Sequence, residues 1–341
     1  MRSIAVEEHF ISKDYLDYLR SREDYPKREV FLDENQQKCE HIWYSSSCCF
    51  TMKNPDAVNN VISDMGGGRI KEMDKTGICM QVLSLTLPGV ETLETADGKI
   101  WAKKINDHLA KTVKEYPDRF IGLASLPLQE PDFAAKELER AIKDNGLKGA
   151  VINSNVQGEY LDNKKYWVIF ERAEKLGVPI YLHPKEPSPD MLKPFTTYPT
   201  LWAAFWGYGV EIGLHVIRLL CSGVFDEFPR LKIIIGHMGE ALPFWMWRLD
   251  KHWEYTPMAK KLRKNPSEYI KENFLMTTSG MFFQPAFLCA YLALGADNIL
   301  FAVDYPYESN ETAMQFMESM PISKSDKEKI CHLNAEKLFS L

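Results

Sequence analysis

Eight short apolar runs, separated by longer amphipathic segments, constrain the fold of this chain more than any other feature. The runs cover residues 3–8, 79–86, 120–126, 147–153, 179–183, 232–237, 273–279 and 298–304. Most of them are continuously apolar rather than alternating, which is typical of strands that are covered on both faces. Each run is therefore predicted to be a buried strand of a parallel sheet.

The segments between these runs have the periodicity of amphipathic helices. They cover residues 97–116, 131–144, 163–176, 210–224, 240–255, 284–293 and 310–319. Pro131 at the start of the second segment and Gly146 just past its end are typical of helix boundaries. Alternation of eight strands with helices predicts an α/β fold of the (β/α)8 (TIM) barrel type. A doubly wound sheet is the main alternative, but its glycine-rich fingerprint is missing, since "MGGGRI" (65–70) precedes a strand.

Two segments depart from this alternation. Residues 10–74 form a long insertion after the first strand, and residues 185–209 hold six aromatic side chains between Phe195 and Tyr208. We expect a single barrel domain over residues 1–341, with both segments covering one end of it. The aromatic residues of 185–209 either line a ligand site or pack within a subdomain or a subunit contact.

Composition and charge exclude several classes of function. The chain has 341 residues, 45% of them apolar, which is enough for a sizeable core. Its net charge of -6 argues against a nucleic-acid or anionic-membrane partner. No apolar run approaches the ~20 residues of a membrane span, and the N-terminus lacks the apolar segment of a signal peptide. Seven cysteines without a CxxC pair indicate a reduced, cytoplasmic protein.

Polar side chains occur where four of the predicted strands end. They are Glu7 and His9 on the first strand, His183 on the fifth, His237 and Glu240 after the sixth, and Asp304 on the eighth. Active sites of barrels are built at the carboxyl ends of the strands, so these residues are expected to converge there. Glu7 and His9 share a face because they are two residues apart on a strand. Imidazole and carboxylate groups together suit a divalent ion such as Zn, Mn, Fe or Mg.

The number of metal ions and the role of His237 depend on weaker signals. The fourth strand ends in "AVIN" and offers no lysine that could bridge two metals, so we expect one ion. His237 is either a ligand or an acid/base group beside the metal, and Glu240 would orient its ring if a helix begins there. Glu8 should face the other side of the strand, and we assign it no chemistry.

Several motifs together resemble the amidohydrolase superfamily, in particular its metal-dependent aromatic acid decarboxylase branch. They are "AVEEHF" (5–10), "MDKTGICMQVLSL" (73–85), "YLHP" (181–184), "FDEFPRLKIIIGHMGEALPFWMWRLD" (225–250), "TTSG" (277–280) and "FAVDYPYE" (301–308). The resemblance extends over nearly the whole chain. The superfamily usually opens with His-x-His, whereas Glu7 gives Glu-x-His here, which resembles the γ-resorcylate and 2,3-dihydroxybenzoate decarboxylases.

The resemblance implies a role for each candidate residue. The metal ligands would be Glu7, His9, His183 and Asp304; the catalytic residues would be Asp304, His237 and Glu240; and the substrate contacts would be Arg248, Asn153 and Phe195. The implied cofactor is one divalent ion, with zinc or manganese favoured over magnesium, and no organic cofactor. Arg248 would hold an anionic or phenolic oxygen, and the aromatic segment that starts at Phe195 would cover the substrate ring.

The implied reaction is non-oxidative decarboxylation of a small hydroxybenzoate-type aromatic carboxylate. Asp304 would protonate the ring carbon, and CO2 would leave afterwards. Metal ligands alone do not distinguish this reaction from the alternative, hydrolysis of a lactone, ester or amide by an activated water. A third hypothesis is a binding protein on an inactive barrel. The resemblance, with the aromatic and Met residues of 210–224 and 240–255, also predicts a homodimer or homotetramer.

Overall fold

The computed structural model describes residues 2–341. Its strands are β1 (Ile4–Phe10), β2 (Lys27–Leu32), β3 (Lys38–Ser45), β4 (Cys48–Lys53), β5 (Met80–Leu85), β6 (Phe120–Ser125), β7 (Gly149–Asn153), β8 (Ile180–His183), β9 (Ile233–Ile235), β10 (Phe274–Thr277) and β11 (Ile299–Leu300). Its α-helices are α1 (Lys13–Ser21), α2 (Pro55–Ser63), α3 (Gly67–Thr76), α4 (Thr95–Glu115), α5 (Pro131–Lys143), α6 (Trp167–Leu176), α7 (Pro189–Leu192), α8 (Gly207–Ser222), α9 (Val224–Glu227), α10 (Leu242–Trp253), α11 (Pro266–Asn273), α12 (Gln284–Leu294), α13 (Asn310–Ser319), α14 (Lys324–Glu328) and α15 (Asn334–Phe339).

The eight predicted strands form one parallel sheet in the order β1-β5-β6-β7-β8-β9-β10-β11. The sheet closes where β1 meets the segment after β11. Val6 N–H donates to the carbonyl of Phe301 at 3.0 Å, and His9 N–H donates to that of Tyr305 at 2.8 Å. The prediction of a (β/α)8 barrel is therefore confirmed.

An extra residue in β1 changes which side chains face the barrel interior. Ala5 is paired with Gln81, but Glu8 is paired with Leu83, so Val6 and Glu7 together lie opposite one residue of β5. Such a β-bulge shifts the alternation of side chains by one position. Ile4 and Val6 belong to the interior cluster of the barrel, and beyond the bulge the inward positions are Glu7 and His9.

Two apolar layers stabilise the barrel. One fills its interior and includes Val82, Leu123, Val151 and Ile234. The larger layer lies between the strands and the surrounding helices. Burial of one such aliphatic side chain is worth about 1.5–3 kcal/mol, so these layers hold the strand ends in fixed positions.

The chain between β1 and β5 contains an antiparallel sheet in the order β2-β3-β4. This sheet, together with α1 and α2, accounts for most of the predicted insertion 10–74. Helix α3 is different, because it contacts α13, the helix that follows β11. α3 therefore takes the place of the first barrel helix, and the departure from the alternation is confined to the segment before it.

The end of β9 and the start of α10 differ from the prediction because of a left-handed turn between them, and β11 is shorter than predicted. Residues 237–241 all have positive φ, between 50° and 77°, so β9 ends at Ile235 and helix α10 begins at Leu242 rather than at 240. Asp304 has a φ of 80°, and β11 comprises only Ile299–Leu300. Residues 301–305 follow β1 through individual hydrogen bonds instead of a regular ladder.

Candidate functional site

The predicted metal ligands converge at the carboxyl ends of the barrel strands. One side-chain ligand atom from each of Glu7, His9 and His183 lies within 4.8 Å of the others, and all three residues are buried. Asp304 joins them, since its Oδ1 lies 3.0 Å from His9 Nε2. Two imidazoles and two carboxylates therefore face one another, which is a donor set that suits a divalent cation.

The two carboxylate oxygens of Glu7 have different surroundings. Oε2 accepts hydrogen bonds from the hydroxyl groups of Tyr181, Thr277 and Ser279. Oε1 is buried without a hydrogen-bond donor among residues 2–341, and it lies 3.6 Å from His183 Nε2. Burial raises the pKa of Glu7. A buried oxygen without a donor is costly, so a cation at this position fits the arrangement.

Asn153 and Glu91 orient the ring of His183. Asn153 Oδ1 lies 3.0 Å from His183 Nδ1, and its Nδ2 donates to Glu91 Oε1 at 3.1 Å. Acceptance by Asn153 places the hydrogen of the neutral ring on Nδ1, which leaves the Nε2 lone pair directed at Glu7. Burial lowers the pKa of His183 well below its ordinary value and so keeps the ring neutral. Asn153 therefore lies behind the histidine, and its amide joins His183 to Glu91.

Asp304 lies between two histidines. Its Oδ2 is 3.8 Å from His237 Nε2, and its Oδ1 contacts His9. Burial would raise the pKa of Asp304, but hydrogen bonding to His237 and His9 outweighs it and holds the pKa well below the usual range. Without a bound ligand, Asp304 is therefore an ionised carboxylate.

His237 and Glu240 form a hydrogen-bonded pair, with 2.7 Å between Nδ1 and Oε1. Glu240 contacts the His237 ring as predicted. The predicted helix start is wrong, because both residues belong to the left-handed turn before α10. Burial lowers the pKa of His237, but the charges of Glu240 and Glu7 and the Asp304 contact raise it well above its ordinary value overall. The pair can therefore hold a proton next to Asp304.

A cavity of about 570 Å³ opens beside this pair. Its polar base is His237 and Glu240, and its walls are mostly apolar, with Phe205, Trp206, Trp245, Leu249 and Met281 among them. Phe205 and Trp206 come from the aromatic segment 185–209 and are 78% and 62% exposed. An apolar slot with a few polar groups at one end suits a small aromatic ligand.

Two predicted substrate contacts lie outside this cavity. Phe195 is half-buried in a short 3-10 turn, Lys193–Phe195, and the aromatic wall is built by later residues of the same segment. Arg248 is exposed on α10 and lines a separate groove with His252. This groove adjoins the cavity, because Trp245 and Leu249 line both of them.

Sequence reasoning missed several residues that support the site. Tyr181 could have been found, since it precedes His183 by two residues on the same strand and must share its face. Ser279 follows β10 at the same end of the barrel. Glu91 lies in the 3-10 turn Val90–Thr92 and carries no sequence signal for its position behind Asn153.

Comparison with known proteins places the chain in a family. The family model described as amidohydrolase matches residues 41–341. The γ-resorcylate decarboxylase of Polaromonas sp. is 39% identical over 287 residues, which cover 82% of this chain and 88% of that relative.

Two solved structures are similar to this protein over the full length of the chain. The 5-carboxyvanillate decarboxylase from Sphingomonas paucimobilis has a TM-score of 0.88 at 35% identity, covering 100% of this chain and 99% of its own. A dihydroxybenzoic acid decarboxylase from Polaromonas sp., solved with manganese and the inhibitor 2-nitroresorcinol, has a TM-score of 0.85 at 34% identity and covers 100% and 97%. This chain therefore belongs to the amidohydrolase family, within the branch that contains the aromatic acid decarboxylases.

Proposed function

We propose that this protein is a carboxy-lyase, a metal-dependent non-oxidative decarboxylase of a hydroxybenzoate-type aromatic acid. The observation that carries the proposal is the buried cluster of Glu7, His9 and His183, with Asp304 in contact with His9. The His237–Glu240 pair and an aromatic-walled cavity lie beside it. Decarboxylation of aromatic acids by the relatives named above supports it. No observation favours the hydrolase alternative.

One divalent ion would be held by Glu7, His9, His183 and Asp304. The unpartnered Oε1 of Glu7 and the neutral, Nδ1-protonated ring of His183 support this assignment. When bound, such an ion would act as a Lewis acid that binds the anionic substrate and stabilises the negative charge that develops on it. Manganese, which the Polaromonas relative holds, is our first choice, with zinc and magnesium as the others.

His237 and Asp304 would carry the proton. The raised pKa of His237 favours a proton on its ring, and its Nε2 lies 3.8 Å from Asp304 Oδ2. Asp304 receives this proton when substrate enters and delivers it to the ring carbon that bears the carboxylate. The carbon–carbon bond then breaks, its electron pair restores the aromatic ring, and CO2 leaves. Glu240 holds the imidazole during both transfers.

The cavity walls would position the substrate and exclude water. Phe205 and Trp206 provide flat apolar surfaces next to His237, which suit stacking against an aromatic ring. Exclusion of water strengthens the electrostatic interactions in the site and protects the ring during protonation. We therefore assign the covering role of the aromatic segment to Phe205 and Trp206 rather than to Phe195.

A homo-oligomer, a dimer or a tetramer, remains part of the proposal. Phe244 and Trp247 on α10 and Phe283 and Leu292 near α12 are each at least 60% exposed, and α10 contacts α12. Exposed apolar surface of this extent is typical of subunit contacts. Light scattering of the purified protein measures the oligomeric state.

Among residues 2–341, none of the helices has the length and apolar character of a membrane span. The cytoplasmic location stays a prediction.

A substrate panel tests the function directly. The Mn²⁺-loaded protein is incubated with 2,6-dihydroxybenzoate, 2,3-dihydroxybenzoate and 5-carboxyvanillate, and CO2 release and loss of ultraviolet absorbance are measured. Lactones, aryl esters and anilides form the second half of the panel. CO2 release without hydrolysis is the expected result, and the Asp304→Asn variant should abolish it. Hydrolysis without CO2 release would contradict the proposal.

A further inference from the structure

Glu8, the residue between two of the proposed metal ligands, contacts the backbone on both sides of Asp304. Its Oε1 accepts from the N–H of Val303 at 3.0 Å, and its Oε2 accepts from the N–H of Tyr305 at 3.0 Å. The side chain is fully buried and lies on the opposite face of β1 from Glu7 and His9. A carboxylate thus takes the place that backbone carbonyl groups would occupy in a regular ladder.

The segment that Glu8 holds is unfavourable by itself. Asp304 has a φ of 80°, a conformation that non-glycine residues rarely adopt and that persists only when neighbouring groups hold it. Its own N–H donates to the carbonyl of Glu7 at 2.9 Å. Three successive amides, those of Val303, Asp304 and Tyr305, are therefore bound by Glu7 and Glu8 of β1.

A buried network fixes Glu8 in turn. Gln81 Nε2 lies 3.4 Å from Glu8 Oε2, and Gln81 Oε1 accepts from Arg69 Nη1 at 3.3 Å. The buried Arg69 also donates to the carbonyl of His9 at 2.6 Å, and its guanidinium lies 4.9 Å from the ring centre of Tyr305. Arg69 therefore contacts both β1, at the carbonyl of His9, and the segment after β11, at the ring of Tyr305.

We infer that Glu8 is a positioning residue, which holds Asp304 where its carboxylate meets His9 on one side and His237 on the other. The inference rests on the proposed function, because it assigns Glu8 to the same metal and proton chemistry. Glu8 acts only through the backbone of residues 303–305. Its loss should therefore weaken metal binding and lower kcat, while KM changes little.

The Glu8→Gln variant tests this role with little change of volume. An amide can accept only one of the two backbone hydrogen bonds, and its NH2 group opposes the other N–H. Binding of Mn²⁺ alone, measured by electron paramagnetic resonance of the free ion, should weaken about 10- to 100-fold, in the range known for groups that orient metal ligands. The value of kcat should fall by a similar factor.

Glu137→Gln is the matched control. Glu137 is another buried carboxylate, paired with Arg140 and Asn106 on the outer helices. Both variants should lower the temperature of unfolding, but only Glu8→Gln should change Mn²⁺ affinity. Equal Mn²⁺ affinity and kcat in Glu8→Gln and wild type would overturn the inference.

A second variant covers the case in which Glu8→Gln does not fold. Gln81→Met removes the amide that holds Glu8, so Glu8 should bind the N–H groups of Val303 and Tyr305 less firmly, and a smaller loss of Mn²⁺ affinity is expected. Unchanged affinity in Gln81→Met would then overturn the inference. Failure of the proposed function itself is distinguishable, because the wild-type protein would then bind no Mn²⁺ at this cluster, or Asp304→Asn would retain full decarboxylation.

Discussion

His237 Nδ1 and Glu240 Oε1 lie 2.7 Å apart across a left-handed turn, at the point where β9 gives way to α10. The Nε2 of His237 faces Asp304, and its Nδ1, on the other side of the ring, faces Glu240. In the proposed reaction, Glu240 would set the pKa of His237, and Asp304 would deliver the proton to the substrate.

Glu240→Gln should lower the pKa of His237, because the amide keeps the hydrogen bond but removes the negative charge that favours the imidazolium. Decarboxylation needs the protonated ring, so activity is lost as pH rises through this pKa, and in the variant that loss should occur at lower pH. We expect kcat at pH 7.5 to fall about 10- to 100-fold, as is typical when a general acid is weakened. Glu254→Gln, at an exposed residue just after α10, is the control. Identical pH profiles for Glu240→Gln and wild type would contradict the proposed role of Glu240.

Removal of the metal should abolish activity and lower stability. A ligand that binds only the folded state, at 100 times its Kd, adds about 2.7 kcal/mol to the free energy of unfolding. Dialysis against a chelator, followed by titration with Mn²⁺, should restore activity at one equivalent and raise the melting temperature. Full activity in protein shown by mass spectrometry to be metal-free would contradict a metal-dependent reaction.

Asn153→Leu should weaken metal binding although Asn153 does not belong to the ligand set. The variant removes the acceptor that holds the hydrogen on His183 Nδ1, so the ring is free to rotate and to change tautomer. We expect Mn²⁺ affinity to fall about 10- to 100-fold. Glu91→Gln, which keeps an acceptor for the Asn153 amide, should have a much smaller effect. Equal Mn²⁺ affinity in Asn153→Leu and wild type would show that the contact is not needed.

Trp206→Ala should raise KM for the aromatic acid without loss of metal. The indole forms part of the cavity wall, and one aromatic contact is worth about 0.5–1.5 kcal/mol, which corresponds to roughly a 2- to 10-fold change. Phe50→Ala, at an exposed aromatic residue on the small sheet, serves as the control. A KM ratio of one for Trp206→Ala would exclude this wall from substrate binding.

The buried His215 should make stability depend on pH. Burial, with a smaller contribution from Arg218, lowers the pKa of His215 from 6.5 to about 3. Its Nε2 accepts from the Leu161 N–H and its Nδ1 faces Ser154, so the folded state holds the neutral ring.

Because the unfolded chain binds a proton below pH 6.5 and the folded chain does so only near pH 3, the contribution of His215 is present above pH 6.5 and is lost as pH falls. The loss between pH 7 and pH 5 should be about 2 kcal/mol. Urea unfolding at both pH values measures it, and His215→Gln should show a smaller difference between them. An equal difference in variant and wild type would assign the pH dependence to other groups.

The alternation of apolar runs with amphipathic segments determined the barrel, because strands buried on both faces and helices with one apolar face have few ways to pack. The same pattern placed Glu7, His9, His183 and Asp304 at one end of the sheet, since parallel strands in a barrel all end on the same face. Positions that depend only on strand ends could therefore be predicted. Arg248 and Phe195 lie outside the cavity, because a helix face and a turn, rather than a strand end, decide their positions.

Only the tertiary structure decided the directions of the side chains in the site and the contacts that fix them. The extra residue of β1 points Glu7, rather than Glu8, into the barrel, although strict alternation from Ile4 and Val6 would do the opposite. His237 and Asp304 both have positive φ, and their side chains approach each other to 3.8 Å. Asn153, Glu91 and Glu8 act through contacts over long sequence separations. A bulge, a left-handed turn and a buried hydrogen bond each depend on neighbours that are distant in sequence, so local periodicity carries no signal for them.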